Sequence, residues 1–113
     1  GEEPDIWVKS GDGRVSLWVE VGLPEAERLA KASRHAGRVV LLACGRALPR
    51  WREQHLPKLR GVPNLTVLSV EQAFLDRLTA TVGRSIEWSM TITEGALYVT
   101  AGNETLETAI SLE

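Results

Sequence analysis

The sequence predicts an α/β fold: a central mixed β-sheet flanked by helices, followed by a C-terminal antiparallel meander. The prediction rests on an alternating N-terminal hairpin, on an apolar run at residues 38–44 between two helical stretches, and on alternating strands after residue 83. A chain of 113 residues is long enough for one hydrophobic core. We therefore expect a single domain over residues 1–113.

The first predicted element is a β-hairpin. Residues 5–9 and 15–21 both alternate apolar and polar side chains. Asp12-Gly13 between them is typical of a two-residue turn, because Asp and Gly tolerate positive φ better than most residues. If these two residues form the loop, the opposed pairs are Trp7 and Trp18, Lys9 and Ser16, and Asp5 and Glu20.

Opposing Asp5 to Glu20 has a chemical consequence. Like charges directly across a strand pair repel each other, and a cation between them relieves the repulsion. Hard divalent cations prefer oxygen ligands, so the pair predicts an Mg²⁺ or Mn²⁺ site made by Asp5 and Glu20. A register that differs by one or two residues, or a solvated strand end, is the alternative interpretation.

The second strand leads into a helix and then into a buried strand. Pro24 suits the first helical position, and the helix is expected to end near Ala36. Its first turns follow the strand that carries Glu20, so Arg28 and Lys31 are expected within reach of that carboxylate, although Lys31 could equally pair with Glu27 on the helix surface. The apolar run at residues 38–44 predicts a strand covered on both faces, reached by a parallel crossover.

The remaining elements alternate in the same way. Residues 47–60 predict a second helix, which Pro57 should kink or end, with Trp51 and His55 interpreted as packing residues. Residues 65–68 predict a parallel strand, and a capping-box spacing at residues 69–72 starts a third helix. Three alternating strands, at residues 86–93, 96–100 and 106–112, predict the meander.

Charge is distributed unevenly along the chain. Residues 28–60 carry nine basic groups and one acidic group, whereas the segments before and after each carry two basic and seven acidic groups. A basic segment beside a carboxylate pair fits a phosphodiester ligand, since cations bind its backbone and carboxylates bind metal. The alternative is that solvated helix faces are simply rich in arginine.

Composition excludes several classes. No apolar run is long enough to span a membrane, and the only cysteine, Cys44, cannot form an internal disulfide and is expected to be a buried thiol in a reducing compartment. The expected location is the cytoplasm. The sequence contains no glycine-rich phosphate loop, CxxC, HExxH or GxSxG motif.

Several of these residues together resemble the bacterial YaeQ family. The resemblance lies in Glu3-Pro4-Asp5, in the strand that ends Trp18-Val19-Glu20-Val21-Gly22, in Leu23-Pro24-Glu25 with Arg28 and Lys31, and in Asn64-Leu65. It implies a variant of the restriction-endonuclease-like PD-(D/E)xK fold, with Pro4-Asp5 and Glu20 as its acidic elements. It also implies that a helix and a strand which precede the PD element lie outside residues 1–113. Gly22 stands where the motif has Lys, so a basic residue from the following helix would have to replace it.

The resemblance and the residues together suggest a metal-dependent phosphodiesterase acting on nucleic acid. Asp5 and Glu20 would hold Mg²⁺ or Mn²⁺, and Lys31 or Arg28 would act in catalysis. The nucleic-acid contacts are expected from Arg28, Lys31, His35, Arg50 and Arg52. An inactive module that binds DNA, RNA or a protein partner is the main alternative, and Gly22 favours it. A small-ligand pocket at the ends of the parallel strands has only fold analogy behind it. Whether the chain is an enzyme, and its oligomeric state, stay open at this point.

Overall fold

The computed structural model describes residues 6–9, 15–82, 88–101 and 103–112, which form three α-helices, one 3₁₀ helix and eight strands. The strands in chain order are β1 Ile6–Lys9, β2 Val15–Val21, β3 Ala36–Ala43, β4 Leu65–Ser69, β5 Trp88–Thr93, β6 Ala96–Ala101, β7 Glu104–Ala109 and β8 Ser111–Leu112. The helices are α1 Ala26–Ser33, α2 Leu48–His55, the 3₁₀ helix Leu56–Leu59 that continues α2, and α3 Gln72–Val82.

The strands form two sheets. The main sheet has the order β1-β2-β3-β4-β8, in which β2, β3 and β4 run parallel and the two outer strands run antiparallel. Strands β5, β6 and β7 form a separate antiparallel sheet. The predicted mixed sheet, the parallel crossover through α1 and the C-terminal meander are therefore confirmed.

The main sheet is covered on both faces, and each face has its own hydrophobic core. Helices α1 and α2 and the 3₁₀ helix pack on the face that presents Trp18, Val39 and Leu41. Helix α3 and the second sheet pack on the face that presents Val40 and Leu42. Residues 39–43 of β3 are buried throughout, as the continuous apolar run predicts.

The hairpin register agrees with the prediction at its centre and departs from it near the turn. Trp7 pairs with Trp18, as expected. Lys9 pairs with Val15 rather than with Ser16, because the register shifts between Val8 and Lys9. Such a shift, a β-bulge or irregularity, places an extra residue on one strand, which a two-residue-turn count does not anticipate. The predicted Asp12-Gly13 turn lies outside the described residues.

The helices are shorter than their sequence patterns suggest. Pro24 is not the first helical residue, since Glu25 has an extended backbone with ψ 151° and α1 begins one residue later. Helix α1 ends at Ser33, so that β3 begins already at Ala36. The predicted helix over residues 47–60 becomes α2 followed by the 3₁₀ helix, in which Pro57 is the second residue. Proline therefore ends the α-helix, as predicted.

The C-terminal segment contains one division that the sequence does not reveal. The single strand predicted over residues 106–112 is two strands: β7 completes the meander, and β8 crosses to the main sheet, where Ser111 pairs with Ser69.

Cys44 is half-buried rather than buried, and its thiol lies 3.0 Å from Gln72 Oε1. Within the described residues, no helix is long and apolar enough to cross a membrane.

Candidate functional site

The candidate site is built around the carboxylate of Glu20. This side chain projects from β2 toward the helical layer and is only 4% exposed. Two donors bind its Oε1 atom: the indole Nε1 of Trp18 and a guanidinium nitrogen of Arg28, each at 2.8 Å. A carboxylate taken out of water needs such charge-assisted partners, so the strand and the helix are joined here by a largely buried ion pair.

The short connection between β2 and α1 explains why Arg28 reaches Glu20. Strand β2 ends at Val21, and Gly22 then adopts a φ of 112°, which L side chains rarely adopt. The Gly22 N–H donates to Leu42 O at 3.0 Å, which ties the turn to the neighbouring strand. The first turn of α1 therefore lies beside β2, the strand that precedes it. The expectation that Arg28 lies within reach of the Glu20 carboxylate is confirmed.

Side chains from distant segments hold α1 in this position. The indole of Trp51 donates from α2 to Pro24 O at 2.6 Å, and His55 Nδ1 accepts the Ala26 N–H at 3.3 Å. His55 thus satisfies one of the unpaired N–H groups that begin every helix. Trp51 is 4% exposed, which confirms its packing role and leaves no face open for stacking on a base.

The other end of α1 is fixed by Asn64. Its amide nitrogen lies 2.9 Å from Ser33 O and 3.1 Å from Ala36 O, so one side chain joins the last residue of the helix to the first residue of β3. The last carbonyl groups of a helix have no partner within the helix, so the Asn64 amide satisfies one of them at Ser33. Both ends of α1 are therefore anchored by side chains from other segments. This anchoring fixes the position of the exposed face of the helix.

A cleft of about 370 Å³ opens beside α1 and Trp18 of β2. Two buried residues, Trp18 and Ala32, contribute apolar surface. The charged and polar lining comes from Arg28 and Lys31 on α1, with Glu27 beside them, and from His35 in the turn that follows the helix. The sequence pattern places His35 on the helix together with Arg28 and Lys31, but α1 ends at Ser33. The structure thus brings three of the predicted nucleic-acid contacts to one cleft.

Two other predicted contacts lie outside the described lining of the cleft, and only one residue of the predicted metal site, Glu20, is described. Arg50 and Arg52 are exposed on α2, which belongs to the same helical layer but contributes no residue to the described lining of the cleft. Asp5 lies outside the described residues. Among the residues that are described, no three His, Cys, Asp or Glu side chains lie close enough together to hold a metal ion.

Sequence reasoning missed two members of the site. Trp18 was predicted as the partner of Trp7 across the hairpin, but its indole also binds Glu20. The signal was present, since residues i and i+2 of a strand share one face. Glu27 was considered only as a partner of Lys31, and the structure shows that it also lines the cleft.

Comparison with known proteins assigns the family. The profile of the family described as YaeQ protein matches residues 1–110. The chain belongs to the YaeQ family. The uncharacterised protein YaeQ of Salmonella typhi is 32% identical over 107 residues, which cover 94% of this chain and 59% of that protein. The YaeQ protein of Escherichia coli K12 is 29% identical with the same coverage. This chain therefore spans about three fifths of the length of these YaeQ relatives.

Solved YaeQ structures have the same fold. The crystal structure of YaeQ from Pseudomonas syringae is similar with a TM-score of 0.67 and 35% identity, over 98% of this chain and 62% of that one. YaeQ from Xanthomonas axonopodis pv. citri gives a TM-score of 0.66 at 23% identity, over 97% of this chain and 63% of that one, which is a likeness of fold alone. The resemblance noted in the sequence is thus confirmed at the level of the family.

Proposed function

We propose that this YaeQ chain binds nucleic acid through its helical layer, with the phosphate backbone held by a basic surface made of Arg28, Lys31, His35, Arg50 and Arg52. The observation that carries the proposal is that Arg28 and Lys31 of α1 and His35 of the turn after it line one cleft. Lysine and arginine neutralise phosphates and release counterions, which supplies most of the affinity for a nucleic-acid backbone. The exposed Arg50 and Arg52 on α2 extend this surface within the same layer.

The charges on the opposite side of the main sheet support the choice of the helical face. The described part of α3 and the second sheet, at residues 72–82, 88–101 and 103–109, carries one basic and four acidic groups. An anionic polymer is repelled from such a surface and attracted to residues 28–60, where nine basic groups oppose one acidic group. The net charge of -2 therefore conceals a basic segment that supplies most of the helical layer.

Salt dependence of binding tests this proposal. Fluorescence anisotropy of a labelled oligonucleotide, measured over a range of salt, gives a slope that reports the number of phosphates neutralised. Arg52→Ala should weaken binding and reduce the slope by about one. Arg77→Ala is the matched control, because Arg77 is also exposed on a helix but lies on the opposite side of the sheet. Equal losses in the two variants would contradict the proposal, as would an absence of binding.

Metal-dependent hydrolysis of a phosphodiester is the second candidate. Its support is the confirmed pairing of Trp7 with Trp18, the register from which the sequence places Asp5 opposite Glu20. The described residues do not by themselves fit a metal ion, since Glu20 is their single contribution and Arg28 already lies 2.8 Å from its Oε1 atom. Mg²⁺ or Mn²⁺ would therefore require Asp5 as well, and when bound it would activate water and offset negative charge. The restriction-endonuclease-like core, which the resemblance implies, is part of this second proposal.

Thermal unfolding with and without metal separates the two candidates. If Asp5 and Glu20 hold Mg²⁺ or Mn²⁺, the melting temperature should rise with metal and the rise should vanish in Glu20→Ala and in Asp5→Ala. If the chain only binds nucleic acid, metal should leave the melting temperature unchanged, and binding should survive Asp5→Ala. Cleavage of the labelled oligonucleotide in the presence of metal would then decide whether a metal-binding chain is also an enzyme.

A further inference from the structure

The cleft beside α1 differs from a plain cationic surface in having an apolar wall. Trp18 and Ala32 line it together with Arg28, Lys31 and His35. Its volume of about 370 Å³ lies in the range of pockets that enclose small organic ligands. A surface that bound only phosphates would need neither an enclosed space nor an apolar lining, because phosphate contacts form at exposed cations.

The lining matches the parts of one nucleotide. Arg28 and Lys31 supply cations for a phosphate, whereas His35 and the guanidinium plane of Arg28 are groups on which an unstacked base can lie. Trp18, which is 8% exposed, contributes to the wall of the cleft beside the same base. In a duplex the bases are stacked and paired, so only its phosphates would meet the cleft.

We infer that this cleft receives one unpaired nucleotide, so that the ligand of the chain is single-stranded nucleic acid or an unpaired end. The inference rests on the proposed nucleic-acid binding and adds the class of ligand. Stacking of a base in this cleft should favour a single strand over a duplex with the same number of phosphates by about tenfold.

Binding of matched oligonucleotides to the 113-residue chain tests the inference. Fluorescence anisotropy would compare a single strand, a blunt duplex with the same number of phosphates, and a single strand whose bases are replaced by abasic residues, in both DNA and RNA. We expect the intact single strand to bind about tenfold more tightly than the other two. Equal affinity for the abasic or the duplex ligand overturns the inference but leaves backbone binding in place. An absence of binding to every ligand overturns both.

A pair of variants locates the site. His35→Ala and Arg34→Ala each remove one exposed side chain at the end of α1, but only His35 lines the cleft. We expect His35→Ala to reduce the preference for the single strand over the duplex, because it removes a group on which the base lies, and Arg34→Ala to weaken both ligands by the same factor. A preference that is unchanged in His35→Ala places the unpaired nucleotide elsewhere and overturns the assignment to this cleft.

Discussion

Arg28 binds the Glu20 carboxylate at 2.8 Å, but the two side chains are buried to different degrees: Arg28 is 31% exposed and Glu20 only 4%. Water can therefore solvate the cation if the pair is broken, whereas the carboxylate keeps only the Trp18 indole. The two halves of the pair are not equivalent for stability, because an uncompensated buried charge costs far more than an exposed one.

The first prediction concerns this asymmetry. Arg28→Ala leaves a buried carboxylate without its cation and should lower the free energy of unfolding by about 3 kcal/mol. Glu20→Gln keeps an oxygen for the Trp18 indole and lets Arg28 turn to water, so its cost should be about 1 kcal/mol. Urea unfolding followed by tryptophan fluorescence measures both, with Arg34→Ala as the exposed control. A larger loss in Glu20→Gln than in Arg28→Ala would show that the ion pair is not the main support of this site.

The second prediction concerns whether Glu20 holds Arg28 in position for binding an oligonucleotide. Glu20→Gln and Glu27→Gln each remove one carboxylate near the cleft. By electrostatics alone both variants should strengthen binding of an oligonucleotide. If Glu20 holds Arg28 in its binding position, Glu20→Gln should instead weaken binding severalfold, while Glu27→Gln strengthens it. Anisotropy titrations at one salt concentration make the comparison, and stronger binding in both variants would exclude a positioning role for Glu20.

The third prediction concerns Gly22, in the turn between β2 and α1. Gly22 has a φ of 112°, a conformation that costs about 1–3 kcal/mol for a residue with a Cβ atom. Nothing lies within 4 Å of a Cβ built at this position, so the strain is one of backbone and not of space. Gly22→Ala and Gly22→Lys should therefore lower the free energy of unfolding by similar amounts. Chemical denaturation measures this, and an unaltered stability in Gly22→Lys would mean that the turn has another accessible conformation.

The fourth prediction concerns Asn64, whose amide nitrogen contacts Ser33 O and Ala36 O. Asn64→Ala should cost about 1–2 kcal/mol, since it removes a donor from two carbonyls. Asn64→Asp should cost more, because carboxylate oxygens would then face these carbonyl oxygens. Thermal unfolding of the two variants gives the order directly. A stability of Asn64→Asp equal to that of the original chain would show that water or another group satisfies the turn.

Much of the fold is predictable from local patterns. The apolar run of β3, the strand-helix-strand order and the alternation in the second sheet depend on neighbouring residues, and the structure confirms all three. The expectation that Arg28 lies within reach of Glu20 followed from the short link between β2 and α1, and it is also confirmed. The shift at Lys9 was not predictable, because an irregularity adds a residue without changing the alternation on either side.

The sequence by itself determined which segments are strands and helices, and that a carboxylate and basic side chains meet where β2 passes into α1. Only the tertiary structure decided that Arg28 binds the carboxylate, that the Trp18 indole joins it, and that Asn64 closes the far end of α1. These contacts depend on side-chain directions and on segments up to 31 residues apart, as for Asn64 and Ser33. Local periodicity places Trp18 and Glu20 on one face of β2, but it does not specify the directions of their side chains, and it carries no information about contacts between distant segments.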